Sequence, residues 1–285
     1  FNKLGSGGVI IEDPQAAGRY DKKDIWLADS VAPDVLDYKF VIVKAYFPED
    51  TNILDELKSR LESVQQTFNM PCKVIINEVK NEDWEESWKE YYHTFKIGRL
   101  VIKPSWEDYQ LQASEVLIEI DPGMAFGTGI HASTRFCLKF IDQYIKGGEK
   151  IIDAGCGSGI LSIGAARLGA ARITAMDVDD VAVKIARENI KLNQLENIIE
   201  VRTGDITEKI EHLQADIILA NITADIINLL IPGAAKVLAP GGYFFGSGII
   251  DSCWPGVKKQ LEENGFEIER ILKDTDWIGV AARKI

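Results

Sequence analysis

Residues 151–159, Ile-Ile-Asp-Ala-Gly-Cys-Gly-Ser-Gly, run an apolar strand into an acid and a G-x-G-x-G turn, and a helix-patterned segment follows. Glycine lets the backbone turn sharply and approach a ligand with no Cβ in the way, while the helix opening there presents free N–H groups. Such a turn is built to hold a nucleoside-containing cofactor. A dinucleotide fingerprint would need a third glycine where Ile160 stands, and it lacks an acid ahead of the first glycine, where this chain has Asp153. Asp177 closes the next apolar strand, 22 residues after Gly155. A carboxylate at that strand end can accept two ribose hydroxyls, and Asp179 and Asp180 are available to cap the following helix instead.

Around this turn the chain reads as alternating elements. Helical segments at 160–168, 181–192, 224–238 and 254–264 separate strands at 173–176, 198–202, 216–221, 243–246, 267–272 and 277–282, with strand-like runs at 100–102 and 116–120 and a helix through 136–144 capped by Ser133 or Thr134. Ala239-Pro240-Gly241-Gly242 reads as a turn. The expected fold is α/β: a Rossmann-like, doubly wound, mostly parallel sheet that binds ligands at its strand carboxyl ends. Residues 1–82 differ, with strands at 8–11, 40–47 and 73–79 and a helix at 52–68, which predicts a small α+β domain. Between the two, Trp84, Trp88, Tyr91 and Phe95 recur at helical spacing. Residues 83–95 are therefore expected as a linker helix, ahead of a domain spanning 96–285.

Composition removes several function classes. The net charge is −12, with −7 over residues 1–95 and −5 over the remainder, a poor balance for binding phosphate backbones. Direct nucleic-acid binding is not expected. No apolar run reaches the length of a membrane span. Four scattered cysteines without a C-x-x-C pair, and three histidines spread along the chain, predict reduced thiols in the cytoplasm and no metal site. The chain opens on Phe1 with no signal peptide, and reads as starting inside its first domain.

Asp153-x-Gly155-x-Gly157-x-Gly159 resembles motif I of the class I S-adenosylmethionine-dependent methyltransferases. Residues 121–134, Asp-Pro-Gly-Met-Ala-Phe-Gly-Thr-Gly-Ile-His-Ala-Ser-Thr, and 219–222, Leu-Ala-Asn-Ile, narrow the likeness. With motif I they closely resemble the ribosomal protein L11 methyltransferase (PrmA) family, over nearly the whole chain. One departure is His131-Ala132-Ser133-Thr134, where the family commonly has H-P-T-T. The resemblance implies an N-terminal substrate-recognition domain, a linker helix and a catalytic domain that methylates lysine or N-terminal amines of a ribosomal protein, L11, with S-adenosylmethionine as cofactor.

The resemblance also implies cofactor contacts at Thr134, Gly155, Asp177 and Asn221, with Asp153 and Gly157 of the glycine turn beside them. Asn221, at a strand end, is the candidate for positioning the amine or the cofactor; His131, in the glycine-rich loop, is a candidate for taking a proton or for packing over the cofactor. Two other readings stay open here: a non-catalytic, cofactor-binding ribosome assembly protein, and a methyltransferase for another amine substrate. Against a nucleic-acid or glutamine methylase stands Asn221-Ile222-Thr223-Ala224, which lacks the prolines of an N-P-P-[YF] motif.

Overall fold

The computed structural model describes residues 9–12, 41–45, 47, 53–68, 73–76, 92–121, 126–206, 210 and 213–285. The chain divides into two compact units, Phe1–Tyr91 and Tyr92–Ile285.

In the first unit, β1 (Val9–Glu12) pairs antiparallel with β2 (Ile42–Ala45), Val9 opposite Ala45 and Glu12 opposite Ile42. Helix α1 (Leu54–Phe68) turns Leu57 inward, and Arg60 reaches back one turn to Glu56. The strand expected at 73–79 is not formed over Lys73–Ile76, where Ile75 and Ile76 are exposed and unpaired with any described strand; the rest of that segment lies outside the described residues.

The second unit opens with β3 (Phe95–Ile97), β4 (Leu100–Lys103) and β5 (Val116–Glu119), a separate three-stranded sheet in which β4 runs antiparallel to β3 and parallel to β5. The aromatic periodicity through Phe95 therefore does not continue as helix to its end. Residues 83–91 lie outside the described residues, Tyr92–Thr94 are irregular, and Phe95 pairs with Ile102 because Gly98, at φ +60°, turns the chain into a tight hairpin.

The remaining elements follow as α2 (Ala132–Tyr144), β6 (Lys150–Ala154), α3 (Ile160–Arg167), β7 (Arg172–Asp177), α4 (Asp180–Leu192), β8 (Ile199–Thr203), β9 (Ala215–Asn221), α5 (Ala224–Val237), β10 (Leu238–Ile250), α6 (Trp254–Glu263), β11 (Phe266–Asp274) and β12 (Trp277–Lys284). The seven strands from β6 onward form one sheet in the order β11-β12-β10-β9-β6-β7-β8. Strands β8, β7, β6, β9 and β10 are mutually parallel; β12 alone is inserted antiparallel between β10 and β11.

Strands β6 and β9 carry near-continuous apolar runs because both sheet faces are covered, as a parallel sheet requires. Ala239-Pro240-Gly241-Gly242 is no free turn but a bulge within β10: Leu238 stands opposite Ala215 and Tyr243 opposite Ile217, so the extra residues loop out before pairing resumes. The order reverses at β6, whose neighbours are β7 on one side and β9 on the other, and the crevice at their carboxyl ends is the place where a ligand fits.

Candidate active site

At the end of β6 the chain enters the glycine turn, with φ values of +75° at Gly155, +52° at Gly157 and +84° at Gly159. These conformations strain any side chain, and space forbids one too: a Cβ on Gly155 would run into the Ile222 side chain, and one on Gly157 into the carbonyl of Phe126. The turn is pinned to β7 from within. Gly155 and Cys156 donate N–H groups to the Met176 carbonyl at 2.8 and 3.0 Å, and Gly157 N–H donates to Asp177 Oδ2 at 2.9 Å.

Asp177 ends β7 half-buried, and its Oδ1 accepts the Asp179 N–H at 3.0 Å. One backbone donor on each oxygen fixes the plane of the carboxylate and leaves lone pairs for two hydroxyls, the arrangement a ribose needs. Asp179 caps α4 by accepting the Val181 N–H at 2.8 Å, as its position suggested.

Asp153 has a different environment. It is 0 % exposed, and the Ser162 hydroxyl donates to its Oδ2 at 2.6 Å while Oδ1 has no protein partner. Burial, with a smaller push from the nearby Asp177 charge, raises its pKa to about 6. Expected among the cofactor contacts, it stands under the glycine turn and is closed off from the crevice surface. Cys156 within the turn has its thiol pushed well up by burial, which leaves it a small apolar filler.

Asn221 and Thr134, 87 residues apart in sequence, meet at the carboxyl end of β9. Asn221 Nδ2 donates to Thr134 Oγ1 at 3.1 Å; Thr134 is buried in the first turn of α2. Asn221 Oδ1 is buried and accepts no hydrogen bond from the protein. Parallel pairing sets Ser247 of β10 opposite Asn221, and Ile222 N–H donates to the Ser247 carbonyl at 3.2 Å.

The helix cap expected at Ser133 or Thr134 is instead His131, whose Nδ1 accepts the Ser133 N–H at 3.3 Å and lies 2.7 Å from Ser133 Oγ. An imidazole acceptor does here what a serine oxygen would do, so both hydroxyl residues are free to sit inside the helix. The His131 ring lies between Trp277 of β12, at 4.7 Å between centroids, and Phe126, at 5.8 Å. Its burial lowers the pKa.

Sequence reasoning missed four residues here. Phe126 and Trp277 wall the site beside His131, and Phe126 is 59 % exposed. Ser158 and Asn189 are buried and bond to each other, Asn189 Nδ2 donating to the Ser158 carbonyl at 2.9 Å. The one available signal was an asparagine on the apolar face of α4, among Val183, Ala186 and Ile190. Among the described residues no group of His, Cys, Asp or Glu is arranged to hold a metal ion, and no helix is long and apolar enough to cross a membrane.

The model of one protein family, ribosomal protein L11 methyltransferase (PrmA), matches residues 1–285. The chain belongs to that family. Its curated relatives include the ribosomal protein L11 methyltransferase of Syntrophomonas wolfei, 66 % identical over 285 residues, covering 100 % of this chain and 93 % of the relative. That of Desulforamulus reducens is 41 % identical over 284 residues, covering 98 % and 91 %. Among solved structures, the crystal structure of ribosomal protein L11 methylase from Lactobacillus delbrueckii subsp. bulgaricus superposes with a TM-score of 0.63 at 34 % identity, over 68 % of this chain and 100 % of that one.

As a member of the PrmA family this chain is a methyltransferase that uses S-adenosylmethionine. The residues present fit that cofactor. The glycine turn brings bare backbone to the strand ends where a Cβ on Gly155 or Gly157 would collide with Ile222 or Phe126, Asp177 is preset for two hydroxyls, and Asn221 Oδ1 is a buried acceptor without a donor. The PrmA resemblance drawn from residues 121–134, 153–159 and 219–222 is thereby matched over the full chain, although Pro122–Ala125 lie outside the described residues.

Proposed function

We propose that this chain methylates amino groups of ribosomal protein L11, at lysine ε-amines, the N-terminal α-amine or both. The observation that carries this reading is the Asn221–Thr134 pair: a side-chain amide held by its nitrogen, with its oxygen buried and unpaired at the cofactor crevice. A neutral amine has N–H groups to donate to such an oxygen and keeps its lone pair for reaction, so Asn221 orients the nucleophile. Gly155, Gly157 and Asp177 hold the nucleoside part of the cofactor, and Thr134 fixes Asn221.

S-adenosylmethionine, when bound, supplies a methyl group on a positively charged sulfur that leaves readily. The chain's own task is to align the amine, exclude water and favour its neutral form. A lysine with pKa near 10.4 costs roughly 4–5 kcal/mol to deprotonate at pH 7, whereas an α-amine costs about 1 kcal/mol. The apolar surroundings of Ile222, Phe126 and Trp277 disfavour an ammonium and lower that cost. The amine would enter after losing its proton to water, Asn221 Oδ1 would hold it through its N–H groups, and the methyl donor would leave as a thioether while the product departs as a methylammonium.

In this reading the N-terminal unit recognises the ribosomal protein. Its acidic charge suits a basic partner. The test is transfer of labelled methyl from S-adenosylmethionine to purified L11, with wild type and Asn221→Ala side by side. Label in the protein fraction that falls sharply in the variant supports the reading; equal label in both refutes the role of Asn221.

A further inference from the structure

Asn189, on the buried side of α4, and Asn193, the residue that caps its C-terminus one turn on, together grip the chain where it leaves β5. Asn193 accepts the Glu119 N–H at its Oδ1, 3.1 Å, and donates Nδ2 to the Glu119 carbonyl at 2.6 Å. Asn189 repeats the first of these contacts two residues on, accepting the Asp121 N–H at 2.9 Å, but its Nδ2 donates elsewhere, to the Ser158 carbonyl inside the glycine turn. Ser158 carries the link onward. Its N–H donates to the Phe126 carbonyl at 2.9 Å and its hydroxyl to the Gly127 carbonyl at 2.7 Å.

The segment that leads from β5 to His131 is thus tied to the glycine turn at Asp121 and Gly127 through two side chains that are 1 % and 0 % exposed, and at Phe126 by a backbone bond. Every one of these bonds ends on backbone, so each fixes where the chain runs. If packing alone were at stake, an apolar side chain of similar size would fill the space without the risk of an unpaired buried amide. What this pair adds is a defined distance between the turn that cradles the nucleoside and the segment that carries Phe126 and His131.

We propose that Asn189 and Ser158 are positioning residues that set the Phe126–His131 segment against the glycine turn, so that cofactor affinity depends on two side chains buried beneath both. The inference rests on the reading of the turn as the S-adenosylmethionine site.

The test uses the full chain carrying Ser158→Ala, which removes the hydroxyl bond to Gly127, or Asn189→Asp, which keeps an acceptor for the Asp121 N–H and deletes the donor to Ser158. Hydrogen exchange of each protein alone is measured, followed by calorimetry with S-adenosylmethionine. In both variants, peptides containing Phe126–His131 exchange roughly tenfold faster while peptides from α5 and β12 exchange as in wild type, and the Kd rises roughly tenfold or more. Unchanged exchange at 126–131, exchange that rises equally throughout the chain, or a Kd equal to wild type each overturns the proposal. Failure of wild type itself to bind S-adenosylmethionine would overturn the underlying site reading instead.

Discussion

The acceptor nitrogen of His131 is committed to Ser133: Nδ1 lies 2.7 Å from the hydroxyl oxygen and accepts the Ser133 N–H, closing the first turn of α2. A neutral imidazole that accepts at Nδ1 carries its hydrogen on Nε2, so the nitrogen left over is a donor. His131 in this state takes no proton from an amine. Its contribution is to start α2 where Thr134 meets Asn221 and to stand between Phe126 and Trp277.

His131→Asn keeps a capping acceptor and should retain most methyl transfer, while His131→Ala loses about 1 kcal/mol of helix capping. In neither variant should the pH–rate profile lose a limb, because in the proposed reaction the ascending limb belongs to the substrate amine. Disappearance of a limb near neutral pH in either would make His131 a base. Stability carries a second signature. Burial lowers the pKa of His131 in the folded protein, so its contribution is present above the ordinary value of 6.5 and is lost as pH falls below that value toward the depressed one. Thermal unfolding from pH 7.5 to 5 should therefore fall more steeply for wild type than for His131→Asn.

Asn221→Ala should cost roughly 1.5–4 kcal/mol of transition-state stabilisation, read as kcat/KM, with an unfolding temperature near that of wild type. Thr134→Val leaves the Asn221 amide without its acceptor, and its cost should overlap with that of Asn221→Ala in a double-mutant cycle, since both remove one linked pair. Additive costs would show that the two residues act separately.

Asp153 gives a pH prediction of opposite sign. Its folded pKa of about 6 exceeds the ordinary 3.8, so its stability contribution is fully present below 3.8 and is lost as pH rises through 6. Asp153→Asn removes the buried charge, and should raise stability at pH 7 to 8 by up to about 3 kcal/mol while leaving it little changed at pH 4. Denaturant midpoints at the two pH values decide this; a loss of stability at pH 8 would mean that the charged form is held by a partner other than Ser162.

Much of the site was legible because its chemistry is local in sequence. The glycine turn and Asp177 announce themselves by residue type and strand position, and Asp179 by its place before an apolar helix. The fold was harder to read where the decision is made at a distance. Strands 100–102 and 116–120 look like members of the large sheet, yet they pair parallel with each other, and the segment through Phe95 joins them by turning back at Gly98. The cap at His131 was hidden by two better capping residues just after it, Ser133 and Thr134. Asn189 gave only a polar break in an apolar face, since its partners at Asp121 and Ser158 are 68 and 31 residues away.

Removal of the N-terminal unit should begin at Tyr92 and not at Lys96. Tyr92 is buried, donates its hydroxyl to the Thr128 carbonyl at 2.6 Å, and packs edge-on against Phe95. A protein starting at Tyr92 should bind S-adenosylmethionine with wild-type affinity and fail to methylate intact L11. One starting at Lys96 should be less stable by about 3–5 kcal/mol through loss of the buried Tyr92 ring, and should unfold at a lower temperature. Calorimetric binding and thermal unfolding of the two fragments check both halves; full L11 methylation by the Tyr92 fragment would place substrate recognition in the second unit.

The central claim is that the Asn221 site transfers methyl groups to amines of one ribosomal protein. Peptide mass spectrometry of L11, incubated with the enzyme and S-adenosylmethionine, measures this directly. Added methyl groups should be confined to lysine side chains or the N-terminal amine, dependent on the cofactor and strongly reduced with Asn221→Ala. Methylation found on glutamine or on ribosomal RNA in place of L11 amines, or amine methylation at wild-type level in the Asn221→Ala enzyme, would contradict it.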